Sequence, residues 1–326
     1  MHRWPGWARA IPLAGRIGRT TFTGHMHPRR TRHLLSAVLR HSADARAQST
    51  WDTATLDDRI RILSASGPTA GCSLVAPLTF QGAYYSDREW TAAGRWRLGL
   101  PSVGPCGSCQ NATLSADKCG EWLNEHGDHA VECPCGPLRT FRHDDLADVY
   151  ADVLEESGAI ARREIFVPEL SGSKEAWLDV WGYGLPEAPD LLLDVTVRHP
   201  RASRYRPASE REAGAACAKA VTEKADRYKA AAGRTVWTIP HETWGRLGDG
   251  AEEFLQLCNA AAARRAWRRG QVPQQMLRRW RVRLDGALQR SIAVQLFAAR
   301  HGLPGRARRR VCPVDVSQLE STCRLV

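Results

Sequence analysis

The sequence predicts a mixed α/β core with the element order α-β-β-β-α-β, preceded by a metal-binding knuckle and followed by basic helices. Three observations carry this expectation. Apolar residues recur at helical spacing between Arg142 and Ser157 (Leu146, Val149, Tyr150, Val153, Leu154), and Gly158 follows as a stop. Three short apolar runs come next, and the last of them, Leu191 to Val197, is continuous enough for a strand buried on both faces. An Ala-rich stretch from Glu210 to Ala232 then reads as a helix ending at Gly233, ahead of a fourth strand, Thr235 to Ile239, closed by Pro240.

In chain order, residues 1–50 hold nine Arg, no Lys and one acid, Asp44. That composition suits a disordered basic arm and equally an organelle transit segment. Residues 51–103 read as a helical lead-in, with helices from Asp52 to Ser66, ended by Ser66-Gly67-Pro68, and from Trp90 to Leu100, ended by Pro101. Residues 104–136 are rich in Cys, Gly and Asp and show neither helical nor strand period, so something other than an apolar core must hold them; a metal does so in many small domains. The core fills residues 137–245. Its first two strands are Glu164 to Pro168 and Ala176 to Trp181, and Gly182 to Pro189 supplies the turn before the third. Residues 246–310 carry two basic helices, Glu252 to Trp267 and Gln275 to His301, and residues 311–326 form a tail.

With 43% hydrophobic and 25% charged residues in a chain of 326, the composition is that of a globular protein. The longest apolar stretch, Ile292 to Ala299, is too short to span a bilayer, so no membrane partner is expected. The net charge of +11 is unevenly spread: residues 260–310 hold fourteen Arg against one acid, Asp285, so both ends are basic and the middle is acidic. Basic flanks around an acidic centre fit a protein whose carboxylates hold metal while arginines grip phosphate. The partner this implies is nucleic acid, DNA first and RNA second; the plainer alternative is a solvated Arg-rich surface.

Of the ten Cys, five (Cys106, Cys109, Cys119, Cys133, Cys135) lie within thirty residues and are interleaved with His126 and His129. Interspersed His, and no apolar stretch of the secretory kind between Met1 and Thr50, point to metal ligands rather than disulfides. Zinc takes four such ligands tetrahedrally, and seven candidates are present. Cys106-Gly107-Ser108-Cys109 is a ligand-type spacing in itself.

Two acids stand inside apolar strands. Asp179 follows Ala176-Trp177-Leu178, and Asp194 lies between Leu191-Leu192-Leu193 and Val195-Thr196-Val197. An acid there costs several kcal/mol unless it is paired or binds a cation. On neighbouring strands the two could share Mg²⁺ or Mn²⁺, with waters and phosphate oxygens completing the shell. Such a site also needs a cation beside the phosphate. Two residues after Asp194 the chain has Thr196 rather than Lys, but the next helix offers Lys219, Lys224 and Arg227, the last two on one face. For each acid alone, a turn cap or structural ion pair is as good a reading.

The order of elements, with acids on the middle strands, resembles the PD-(D/E)XK nuclease superfamily. Cys119-Gly120, His129, Cys133-Pro134-Cys135-Gly136 and Arg142-His143-Asp144, followed by Leu193-Asp194-Val195-Thr196-Val197, Glu223-Lys224 and Arg227-Tyr228, are similar to the restriction-like endonuclease domain that closes the polyproteins of site-specific non-LTR retrotransposons, as in dinoflagellate reverse-transcriptase-related proteins. The resemblance implies Asp179 and Asp194 as metal acids and Lys224 as the catalytic Lys. It implies Arg142, His143 and Arg227 as nucleic-acid contacts, joined by the basic Arg278, Arg279 and Arg281. It implies structural zinc on Cys119, His129 and Cys133 with Cys109 as the first ligand, Cys106, His126 and Cys135 being alternates. A DNA endonuclease of the nucleus follows, or of an organelle if the basic start is a transit peptide. Two positions depart from the family: Leu178 precedes Asp179 where Pro or Ala is usual, and Asp144 stands where Asn is common. Residues 1–103 are too few for a reverse-transcriptase core, so a decayed remnant that binds nucleic acid without cutting is the alternative.

Overall fold

The computed structural model describes residues 44–77, 83–112, 117–171, 174–228, 236–270 and 276–302, so most of the basic arm and all of the tail lie outside the described residues. The chain forms two units, Met1–Arg59 and Ile60–Val326. In the first, residues 44–53 are helical. Helix α1 (Leu56–Ala65) runs across the boundary, and α2 (Asp87–Leu98) follows in the second unit. Ser86 and Glu89 form a capping box at the start of α2, and Gly99 in the left-handed region ends it.

A two-stranded ribbon, β1 (Gly107–Ser108) with β2 (Trp122–Leu123), and a short helix, α3 (Asp128–Glu132), form the knuckle. Helix α4 (Leu138–Ser157) then buries Leu146, Tyr150, Val153 and Leu154 of the periodic stripe legible in the sequence, with Val149 half-buried. Gly158, at φ 101°, stops it by donating its N–H to the last carbonyls.

Four strands follow: β3 (Ile160–Phe166), β4 (Trp177–Leu185), β5 (Ala188–Arg198) and, after the short helix α5 (Arg206–Ser209) and helix α6 (Ala215–Arg227), β6 (Val236–Glu242). They make one sheet in the order β3-β4-β5-β6, antiparallel except for the parallel β5–β6 pair. The protein is therefore mixed α/β, as its sequence predicts. Helices α7 (Asp249–Arg268) and α8 (Met276–His301) complete it. Leu146, Tyr150, Leu154, Val180, Leu193, Val195, Phe254, Leu284 and Ile292 meet in the main core, to which each fully buried side chain contributes about 2 kcal/mol. A smaller cluster of Val167, Leu170, Leu192 and Tyr228 is separate from it.

Several boundaries differ from the sequence expectation for local reasons. β4 continues through Gly182, which looks like a turn residue, because a Cβ there would meet Leu154 at 2.8 Å; the glycine lets helix and strand approach. The turn shrinks to Pro186-Glu187. β6 runs past Pro240, which is tolerated because β6 is an edge strand. The helix expected from Glu210 starts only at Ala215, since Gly214 adopts φ 84°. It also ends at Arg227, ahead of the expected Ala232, because Tyr228 leaves the helical conformation; Gly233 lies outside the described residues.

Candidate active site and metal-binding knuckle

Backbone pairing of β4 with β5 runs through Gly182↔Leu191, Trp181↔Leu192 and Val180↔Leu193. One step further in this register sets Asp179 across from Asp194. There the strands part, and the Val195 N–H donates to Asp179 Oδ2 at 2.6 Å instead of to a backbone carbonyl. An acid side chain has taken the place of a ladder acceptor, which fixes the carboxylate at the mouth of the fork.

Asp194 is 4% exposed. Lys224 Nζ, reaching from α6, donates to both of its oxygens, at 2.8 and 2.7 Å, and the Tyr228 hydroxyl donates to Oδ2 at 2.6 Å. Lys224 and Tyr228 are one helical turn apart, so both land on the same carboxylate. Burial and the adjacent Asp194 charge push the Tyr228 hydroxyl well above its ordinary range, which keeps it a donor. Thr196, where a strand Lys is absent, is buried.

Around Asp179 the first core helix supplies His143. Its Nε2 lies 3.0 Å from Asp179 Oδ2 and 3.1 Å from the Val195 carbonyl, and its Nδ1 lies 3.2 Å from Asp144 Oδ1. Burial alone would lower this imidazole's pKa; the hydrogen bond and charge of Asp179, with those of Asp144, outweigh it and raise it to about 9. Asp144 thus holds His143 from behind. Arg163 on β3 donates to the Asp179 carbonyl at 2.9 Å and pairs with Asp148.

Asp179, Asp194 and the Val195 carbonyl offer only oxygen, the donor set that a hard divalent cation takes. In this structure His143 and Lys224 engage those oxygens. Tyr228, Asp144 and Arg163 escaped sequence reasoning as site residues. For Tyr228 a signal existed, its place four residues after Lys224; nothing local distinguishes Arg163 from other surface arginines.

Arg227 lies outside this constellation. It is exposed, stacks 5.2 Å over the Tyr228 ring and donates to the Glu175 carbonyl at 3.5 Å. Arg142 does not fit its expected part as a nucleic-acid contact. It is 4% exposed, and its Nη1 donates to the Val131 carbonyl at 3.1 Å and to Gln295 Oε1 at 2.9 Å. It joins the knuckle to α8. Arg279 and Arg281 are ion-paired at 2.5 Å with Glu156 and Glu252, and Arg278 is exposed. The acids that neutralise the basic start of α8 come from the preceding helix α7 and from α4, the latter more than a hundred residues away in sequence.

In the knuckle, the Cys109 N–H donates to the Glu121 carbonyl and the Cys119 N–H to the Asn111 carbonyl, so the ribbon brings the two thiols together. His129 and Cys133 sit one turn apart, in and just after α3. The donor atoms of Cys109, Cys119, His129 and Cys133 all lie within 4.8 Å of one another, a Cys₃His cluster able to hold a metal such as zinc. Cys109 and Cys133 sulfurs are 3.8 Å apart, and Cys119 Sγ is 3.3 Å from His129 Nε2. A tetrahedron with Zn–S arms of about 2.3 Å has edges of about 3.8 Å, so the set is already at ligand spacing. The Cys109 thiol donates to Cys133, which pulls the Cys133 thiol down to about 4 while pushing Cys109 up. Of the alternates, Cys106 is exposed, His126 faces Glu125 at 3.6 Å, and Cys135 stands outside the four.

The knuckle is tied to the sheet through Asp128, which precedes ligand His129. Its carboxylate accepts from Arg201 Nη1 at 2.9 and 3.0 Å and lies 3.3 Å from His199 Nε2. The His199 ring packs against Trp96 and Trp244. Burial opposes ionisation of Asp128, but the hydrogen bond and charge of His199, with Arg201, hold it well below the usual carboxylate range.

No family model matches the chain, and comparison with curated proteins and with solved structures gave no match.

Proposed function

We propose that this chain is a metal-dependent DNA endonuclease of retrotransposon origin, with a PD-(D/E)XK-type core behind a structural zinc knuckle. One observation carries the reading: two strand acids stand where the β4–β5 pairing ends, Asp179 accepting from the Val195 N–H, and a helix-borne lysine reaches the buried Asp194. A divalent cation on Asp179 and Asp194 would polarise the scissile phosphate and lower the pKa of a bound water. Lys224 spans both oxygens of Asp194 and places an ammonium where a phosphate oxygen would enter. His143, anchored by Asp144, is a second positive group at the same mouth. The support is geometric and chemical, together with the motif resemblance.

A second reading has its own observation. His143 Nε2 already bridges Asp179 and the Val195 carbonyl, and Lys224 already spans Asp194. A chain that keeps these contacts in the presence of metal would bind nucleic acid without cutting it. Plasmid nicking with Mg²⁺ or Mn²⁺, compared with an Asp194→Ala variant, separates the two: the proposal requires nicking in the wild type alone.

A further inference from the structure

The arginines of the C-terminal half were expected to act through Arg278, Arg279 and Arg281, yet two of these are neutralised within the fold. The positive charge that is left over lies elsewhere. At the end of α7, Arg264, Arg265, Arg268 and Arg269 line a cleft of about 240 Å³ whose other wall includes Gly158 and Pro186. Helical spacing stacks Arg265 beneath Arg268 and Arg269, so the guanidinium groups form a stripe rather than a ring. Arg264 pairs with Glu187, and its Nε is buried without an acceptor. Among the described residues, no carboxylate pairs with Arg265, Arg268 or Arg269, and all three are exposed. On the same helix, next to Arg264 but not lining the cleft, Trp267 is 80% exposed.

A stripe of unpaired guanidinium groups, with an open indole on the neighbouring face of the same helix, matches what an unpaired nucleic-acid strand that bends round the helix end offers, phosphates for the arginines and a base face for the ring. Dipole compensation at a helix C-terminus would explain one or two arginines there, but neither the cleft nor the exposed tryptophan. The cleft is distinct from the acid pair. It sits by the β4–β5 turn, six residues along β4 from Asp179, roughly 20 Å at about 3.3 Å per residue.

We propose that this cleft is a second nucleic-acid site, binding the phosphate backbone of a single-stranded segment with a base stacked on Trp267. From the proposed function it takes the class of ligand alone, and it does not require cleavage. In the full chain the strand would be held at one end of the sheet while the acid pair stands at the other.

The test is fluorescence anisotropy with a labelled oligo(dT) of thirty nucleotides and with a duplex of equal length, titrated at several salt concentrations. The Arg265→Gln/Arg268→Gln double variant is compared with an equally charged control, Arg95→Gln/Arg211→Gln, whose residues are exposed elsewhere. The cleft variant is expected to bind oligo(dT) at least tenfold more weakly than the control, with a log–log salt slope shallower by about 1.4, two single-strand phosphate contacts. Trp267→Ala is expected to lose at least fivefold on oligo(dT) and little on the duplex. Wild-type protein that fails to bind oligo(dT), or a cleft variant matching the control in affinity and slope, overturns the proposal. So does a Trp267→Ala variant that loses equally on both ligands. Failure of the catalytic reading is separable: an Asp194→Ala protein without any change in nicking would still bind oligo(dT) through this cleft.

Discussion

At the scale of single residues, the acid pair is held by counter-charges rather than left empty, and this makes its energetics testable without any substrate. Removing Lys224 strands a 4%-exposed carboxylate with one hydroxyl donor. Lys224→Ala is therefore predicted to lower the unfolding free energy by about 3 kcal/mol, and to make what remains depend more steeply on Mg²⁺, as read by urea denaturation with and without the ion. His143 gives a second handle. Its folded-state pKa is raised from 6.5 to about 9, so its contribution is fully present below 6.5 and is lost as the pH rises through 9. Without added divalent ion, thermal stability should decline across that window. His143→Gln should flatten the decline, and an unchanged slope would mean that His143 is not held by Asp179 in solution. Asp179, Asp194 and Lys224 were legible in the sequence because strand acids need partners and a helix lysine is a natural one. Arg142 was misread because burial of an arginine depends on Val131 and Gln295, which come into reach only after folding.

At the scale of elements, the knuckle and the helix behind it act as one piece. Gly127 caps α3 at φ 83°, and a Cβ there would meet Leu296 at 2.4 Å and Val103 at 2.6 Å. Gly127→Ala should cost about 2 kcal/mol through left-handed strain and overlap, and should turn α3 so that His129 leaves the cluster. Zinc per chain after dialysis, measured by atomic absorption, should fall below the wild-type value; full retention would show that the α3 geometry does not set the site. Element positions were readable wherever one face is buried, as in α4 and β5. They were less so at the sheet edge, where β3 carries Arg162, Arg163 and Glu164 in a row and so lacks an alternating apolar signature in its residue types. The glycines of β4 misled for a related reason, since Gly182 serves packing against Leu154 rather than chain reversal.

At the scale of the whole molecule, charge is the property that sequence showed in sum and misplaced in detail. The basic start of α8 is spent on Glu156, Asp152 and Glu252, which stabilises the contact of α8 with α4 and α7. Local sequence cannot reveal such pairings, because the partners stand more than a hundred residues apart for Glu156 and Asp152. Among the described residues, exposed arginines without a carboxylate partner remain at the end of α7, and Asp179 lies toward the other end of β4. The two proposed sites, separated along one strand, would let one protein nick a duplex while retaining an adjoining strand. The most direct measurement is conversion of supercoiled plasmid to open circles by the full chain, in Mg²⁺ and in Mn²⁺, beside Asp194→Ala and a chelator control. The account predicts metal-dependent open circles from the wild type and none from the variant; equal conversion by both proteins, or none by either, would contradict it.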